Sequence, residues 1–103
     1  MAASGPALAA PPAEERPLLR WGADQEGGGP YIFPRDDDPS RVTGFEVDLA
    51  EALAKQMGRR AAFVQCDWNR MLQVLDRGNI DVALNGYEYS AERAERYLAS
   101  LPY

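Results

Sequence analysis

The chain has 103 residues, enough for one small core but not for two. Its balance of 46% hydrophobic and 26% charged residues is that of an ordinary globular segment, and a net charge of −5 argues against nucleic acid or an anionic membrane surface as partner. One cysteine, Cys66, and no histidine exclude an internal disulfide, His-based zinc sites and His-dependent catalytic triads.

No run of residues is long and apolar enough to predict a membrane-spanning helix, so no direct membrane insertion is expected. Met1 to Pro17 is rich in Ala and Pro and lacks the basic start and apolar stretch of an intact signal peptide. It reads either as a disordered leader or as a signal-peptide remnant, with Ala7-Leu8-Ala9-Ala10 resembling the small-residue end of a cleavage site.

From Leu18 the texture changes. Leu18 to Ala23 predicts a first strand, followed by the flexible Gly27-Gly28-Gly29-Pro30 loop. Tyr31-Ile32-Phe33 and Arg41-Val42-Thr43 predict a small hairpin, with the acids Asp36, Asp37 and Asp38 at its tip. A helix begins near Glu46 and Asp48, acids suited to a helix N-terminus, carries Leu49, Leu53 and Met57 on one stripe, and stops at Gly58.

Ala61 to Cys66 predicts a second strand, and Asp67 caps a helix whose stripe is Trp68, Met71, Leu72 and Leu75. Gly78 ends that helix and Ile80 to Leu84 predicts a third strand. Ser90 then caps a helix through Arg96. Strand and helix alternate with short joints, which predicts an α/β fold: a three-layer parallel sheet with flanking helices and right-handed crossovers.

Open parallel sheets bind ligands beyond the carboxyl ends of their strands. Asp24, Asp67-Trp68 and Asn85-Gly86-Tyr87-Glu88 fall there, with Arg93 in the first turn of the following helix. Arg93 offers a planar fork that matches a carboxylate, and Gly86 lets backbone approach a ligand. Each has a plainer reading. Arg93 pairs with Glu88, Glu92 or Glu95 on a solvated face, Trp68 is a core residue of its helix stripe, and Asp24 is a turn residue. Gly27-Gly28-Gly29 lacks the Lys-Ser/Thr ending of a phosphate loop, and no cofactor motif is present. Ser90 and Ser100 have no histidine to activate them, and Cys66, closing an apolar run, reads as a small buried hydrophobe.

Five stretches taken in series resemble the bacterial solute-binding proteins of the polar-amino-acid type, which have the type II periplasmic binding fold. They are Leu18 to Asp24, Gly44-Phe45-Glu46-Val47-Asp48-Leu49-Ala50, Asp67-Trp68, Gly78 to Ala83, and Ser90 to Ala94 followed by Leu98 to Tyr103. The resemblance implies extracytoplasmic binding of an amino acid for an ABC-type importer, with the transporter permease as partner, no catalysis and no cofactor. It places the carboxylate-binding arginine on Arg93, backbone ligand contacts on Gly86 and Glu88, the aromatic that packs on the ligand on Trp68, and the acid after the first strand on Asp24.

Two residue differences stand out. Glu88 occupies a position where the family usually has Thr or Ser. Gly27 and Gly28 occupy a loop where many relatives place a second aromatic, which implies a ligand gripped from one side. The resemblance also makes residues 18–103 part of a first lobe, without the second lobe that closes over the ligand. A lone lobe of this kind is expected to bind no tighter than about millimolar. Two other readings stay open: a sensor lobe of a receptor or signalling protein, and a cyclohexadienyl-dehydratase-like enzyme on the same fold.

Overall fold

Strand β1, Leu18–Ala23, is the centre of the fold because both of its edges are paired. A computed structural model describes residues 12, 15–86, 90–101 and 103, so the expectation for residues 1–17 lies largely outside the described residues. Two short strands follow: β2, Phe33–Pro34, and β3, Val42–Thr43, which form a separate antiparallel hairpin. β4, Arg60–Gln65, runs parallel to β1 along its whole length, from Leu18↔Arg60 to Ala23↔Gln65. β5, Val82–Ala83, lies parallel on the other edge, with Trp21 opposite Val82 and Gly22 opposite Ala83. The sheet order is β4-β1-β5, the predicted three-stranded parallel sheet.

The period-two alternation of β1 separates two cores. Leu19, Trp21 and Ala23 are all buried, and Trp21 and Ala23 join Ala50 of helix α1, Phe45–Gln56, with Ile32 and Leu84. Trp21 and Phe63 of β4 pack with ring centroids 5.1 Å apart. On the opposite face Cys66, Met71 and Ile80 form a second cluster, with Val74 and Leu75 of helix α2, Met71–Asp76. One helix therefore covers each face, which makes three layers. Gly22 faces the second cluster without a side chain, because a Cβ there would lie 2.6 Å from Ile80 Cδ1 and 3.1 Å from Cys66 Sγ.

Across the sheet, Arg20 and Asp81 clamp β1 to the entry of β5. The Arg20 amide donates to Asp81 Oδ2 at 2.8 Å, and its guanidinium reaches Asp81 Oδ1 at 2.9 Å. The guanidinium also donates to the Gly78 carbonyl at 2.8 Å.

Two elements differ from expectation for identifiable reasons. The first strand of the hairpin starts at Phe33, because Ile32 N–H is used by the Gly28 carbonyl and the Tyr31 carbonyl by Glu46 N–H. The helix expected after Asp67 begins with a 3-10 turn, Trp68–Arg70, before α2. Asp67 does not cap it through its side chain. Trp68 N–H donates instead to the carboxylate of Asp24, 44 residues earlier in the chain, at 3.1 Å. Helix α3, Ala91–Arg96, is capped as expected, with Ser90 Oγ accepting from Arg93 N–H at 3.2 Å.

Candidate functional site

The carboxyl ends of the three parallel strands meet at Asp24, Gln65 and Asn85, and their side chains stitch the loops together. Asp24 Oδ1 accepts from Glu26 N–H and from Gln65 Nε2, both at 3.1 Å, while Oδ2 accepts from Trp68 N–H. Gln65 Oε1 in turn accepts from Gln25 N–H at 2.9 Å. Asn85 Oδ1 accepts from Asp24 N–H at 2.6 Å. Desolvation pushes the Asp24 carboxyl upward, but the bonds from Gln65, Glu26 and Trp68 together outweigh it and hold the group below its ordinary range.

A cleft of about 360 Å³ opens above these strand ends, lined by Asp24, Glu26, Gly27, Tyr31, Trp68, Asn85 and Gly86. That volume lies within the range of sites for small ligands. Of the expected site residues, Asp24, Trp68 and Gly86 are thus brought together. Trp68 is 43% exposed, so it forms a wall of the cleft and does not sit in the core. Gly86 has φ +66 and no side chain, which leaves the floor open. Its N–H already donates to Tyr103 Oη at 2.8 Å. Arg93 is half-buried in the first turn of α3 and is not among the residues lining the cleft. Glu88 lies outside the described residues.

Asp24 serves both as a turn residue and as a cleft residue. It caps the 3-10 turn Gln25–Gly27 and at the same time faces the cleft. Three contributors were not legible as site residues. Tyr31 supplies a second aromatic wall that the Gly27-Gly28 loop lacks, and its ring packs on Phe45 at 5.1 Å between centroids. Glu46 and Tyr103 lie behind the floor, where Tyr103 Oη donates to Glu46 Oε2 at 2.6 Å. The signal available for Tyr31 was its place just past a Gly-Pro turn. For Glu46 and Tyr103, 57 residues apart, only the fold brings them together.

The electrostatics of the cleft are one-sided. Its described lining carries two carboxylates, Asp24 and Glu26, two aromatic rings and no basic side chain. Such a surface favours a cationic or polar ligand group, held by charge and by the ring faces. Among the described residues, no group of three His, Cys, Asp or Glu side chains could hold a metal ion, and no helix is long and apolar enough to cross a membrane. Cys66 is buried, and desolvation, with the charges of Asp24 and Asp67 adding to it, pushes its thiol up and away from the reactive thiolate. A second hollow, of about 370 Å³, lies at the opposite end of β4, bounded by Lys55, Arg59, Arg60 and Glu51. It is away from the carboxyl ends of the strands, where open sheets of this kind hold ligands.

Fold and cleft together define an α/β module of ligand-binding type: a parallel sheet covered on both faces, with a ligand-sized opening at its carboxyl edge. The chain belongs to the bacterial extracellular solute-binding proteins, family 3, which match residues 19–103. It is 42% identical over 74 residues to the L-cystine-binding protein TcyJ of Escherichia coli (strain K12), covering 72% of this chain and 27% of that protein. The solved structure of a point mutant of the arginine-bound form of domain 1 from TmArgBP superposes with a TM-score of 0.76 at 28% identity, covering 84% of this chain and 64% of the other. A cyclohexadienyl dehydratase from Pseudomonas aeruginosa also matches, at 30% identity over 60 residues, 58% of this chain and 22% of that protein. The chain spans about a quarter of the length of these two curated relatives.

Proposed function

We propose that this chain binds an amino acid outside the cytoplasmic membrane for an ABC-type importer, with the transporter permease as its protein partner. The observation that carries the reading is the cleft: Asp24, Tyr31, Trp68 and Gly86 converge at the carboxyl edge of the sheet in a chain of this family. The relatives named as binding cystine or arginine supply the ligand class.

In this reading Trp68 and Tyr31 pack on the apolar part of the ligand, and Asp24 and Glu26 face its cationic groups. Arg93, with the backbone near Gly86 and Glu88, holds the α-carboxylate through a two-pronged hydrogen bond. Residues 18–103 then act as part of the first lobe, and a second lobe completes the enclosure.

An enzymatic reading on the same fold has the dehydratase relative in its favour and the cleft chemistry against it. A carboxylate held ionised by three donors, as Asp24 is, makes a poor general acid, and its lowered basicity makes it a weak base.

The test is a fluorescence titration of the chain with a panel of L-amino acids, comparing Arg93→Ala with Arg96→Ala. Arg96 lies 3.8 Å from Asp76 and over the Tyr97 ring, so it serves as a neighbouring control. Truncating a carboxylate's bidentate partner costs about 2–5 kcal/mol, or at least about thirtyfold in affinity. Arg93→Ala is therefore expected to weaken binding by that factor and Arg96→Ala to leave it within about twofold. Equal affinities for wild type and Arg93→Ala would remove Arg93 from the site.

A further inference from the structure

Glu46 is the buried charged side chain among the described residues, fully removed from solvent in the first turn of α1. A carboxylate is expensive to bury unless its oxygens are satisfied, and an apolar residue would fill the same space at lower cost. Its contacts lead to the cleft. Oε1 accepts from Asn85 Nδ2 at 3.5 Å, and Asn85 Oδ1 accepts from Asp24 N–H at 2.6 Å. Oε2 accepts from Tyr103 Oη at 2.6 Å, and Tyr103 Oη accepts from Gly86 N–H at 2.8 Å.

Two relays thus leave one carboxylate, and each ends on the backbone N–H of a residue lining the cleft. Glu46 also backs the floor directly, since a Cβ on Gly86 would lie 3.9 Å from its Oε2. The helix terminus that carries Glu46 is fixed from the cleft side as well, because Phe45 N–H and Glu46 N–H donate to the carbonyls of Pro30 and Tyr31. The position of the carboxylate is therefore determined by the same loop that supplies the Tyr31 wall.

We infer that Glu46 is a positioning residue for the ligand cleft, setting the Asp24 backbone through Asn85 and the Gly86 backbone through Tyr103. The inference rests on the amino-acid-binding reading for its functional consequence, but its geometry can be read without ligand. A carboxylate accepts from both Asn85 and Tyr103. In Glu46→Gln the amide nitrogen is a donor and cannot take one of those two bonds. Tyr103→Phe removes only the hydroxyl and keeps the ring that stands 6.2 Å from Phe45.

The experiment uses the 15N-labelled chain and follows amide hydrogen exchange at Asp24 and Gly86, the melting temperature, and affinity for L-arginine and L-cystine. Tyr103→Phe is expected to speed exchange at Gly86 about tenfold, leave Asp24 unchanged and lower the melting temperature by at least about 4 °C, because the buried Glu46 Oε2 loses its donor. Glu46→Gln keeps one acceptor oxygen, so it is expected to speed exchange at one or both of the two amides and to weaken binding of whichever amino acid the wild type takes by about tenfold. Wild-type exchange at both amides in the two variants would overturn the inference. So would faster exchange with unchanged affinity, which would make the network purely structural. If the wild type binds neither amino acid, the functional reading falls on its own, and the exchange rates alone decide whether Glu46 positions the two backbones. Should Glu46→Gln fail to fold, the Gly86 amide in Tyr103→Phe decides.

Discussion

Replacing Gly44 with alanine tests how the loop, the helix and the cleft are joined. Gly44 precedes α1 with φ +124 and ψ 169, a region of backbone space that is essentially glycine's. No side chain caps this helix; the carbonyls of Pro30 and Tyr31 do so, at 3.0 and 3.1 Å from the amides of Phe45 and Glu46. That contact brings the loop so close that a Cβ on Gly44 would stand 2.7 Å from the Tyr31 carbonyl carbon and 3.0 Å from Ile32 Cα, and closer still to the Tyr31 oxygen. These are backbone atoms, so no rotamer change relieves the overlap.

Holding alanine in this region costs about 1–3 kcal/mol, and overpacking against fixed atoms adds about 1–3 kcal/mol. The sum, roughly 2–6 kcal/mol, is a large part of the stability of a domain this size, and each kcal/mol lowers the melting temperature by about 4–8 °C. Gly58 is the control. It ends the same helix at φ +67, and a Cβ there would have no neighbour within 4 Å, so Gly58→Ala carries the backbone cost alone, about 1–2 kcal/mol. Urea unfolding of both variants separates the two contributions. A Gly44→Ala chain no less stable than Gly58→Ala would refute the close approach of loop and helix.

Two further outcomes follow from burial and charge. Cys66 should react with a thiol reagent in the folded chain at least about tenfold more slowly than after unfolding in urea, and equal rates would show it to be exposed. Burial raises the Glu46 carboxyl above its ordinary 4.5 despite the bonds from Tyr103, Asn85 and the Gly86 amide, so its contribution to stability is complete below 4.5 and is lost as pH rises through the folded value. Asp24 and Asp81, both held below 3.8, have the opposite sign, contributing above that value and losing it as pH falls. Melting curves from about pH 3 to pH 7 should therefore show the wild type losing ground to Glu46→Gln above pH 4.5, and a constant difference across that range would contradict the assignment.

The sheet and its helices were legible because their signals are local. Leu19, Trp21 and Ala23 alternate on one strand face, glycines stop the helices, and Ser90 caps α3 as its position predicts. Helix starts that depend on distant partners were not. Asp67 was the nearest candidate to cap the helix at Trp68, but the acceptor is Asp24 across two strand ends, and no spacing rule links residues 44 apart. In the same way Glu46 looks in sequence like an acid placed for the helix dipole. Its burial, and its link through Tyr103 to the cleft floor, arise only when the ends of the chain's elements meet. At the site, Trp68 could be read from its place just past a strand, whereas Tyr31 enters the cleft because Gly44 allows its loop to press against α1.

The most direct test of the central claim is to map a bound amino acid on the chain by NMR. Adding L-arginine, and separately L-cystine, to the 15N-labelled protein should shift the amides of Asp24, Glu26, Gly27, Tyr31, Trp68, Asn85 and Gly86, which line the cleft at the carboxyl edge of the sheet. At least one of the two amino acids is expected to do so in a saturable manner. Shifts centred instead on Lys55, Arg59 and Arg60 at the opposite end of β4, or no saturable shift with either ligand, would contradict the account.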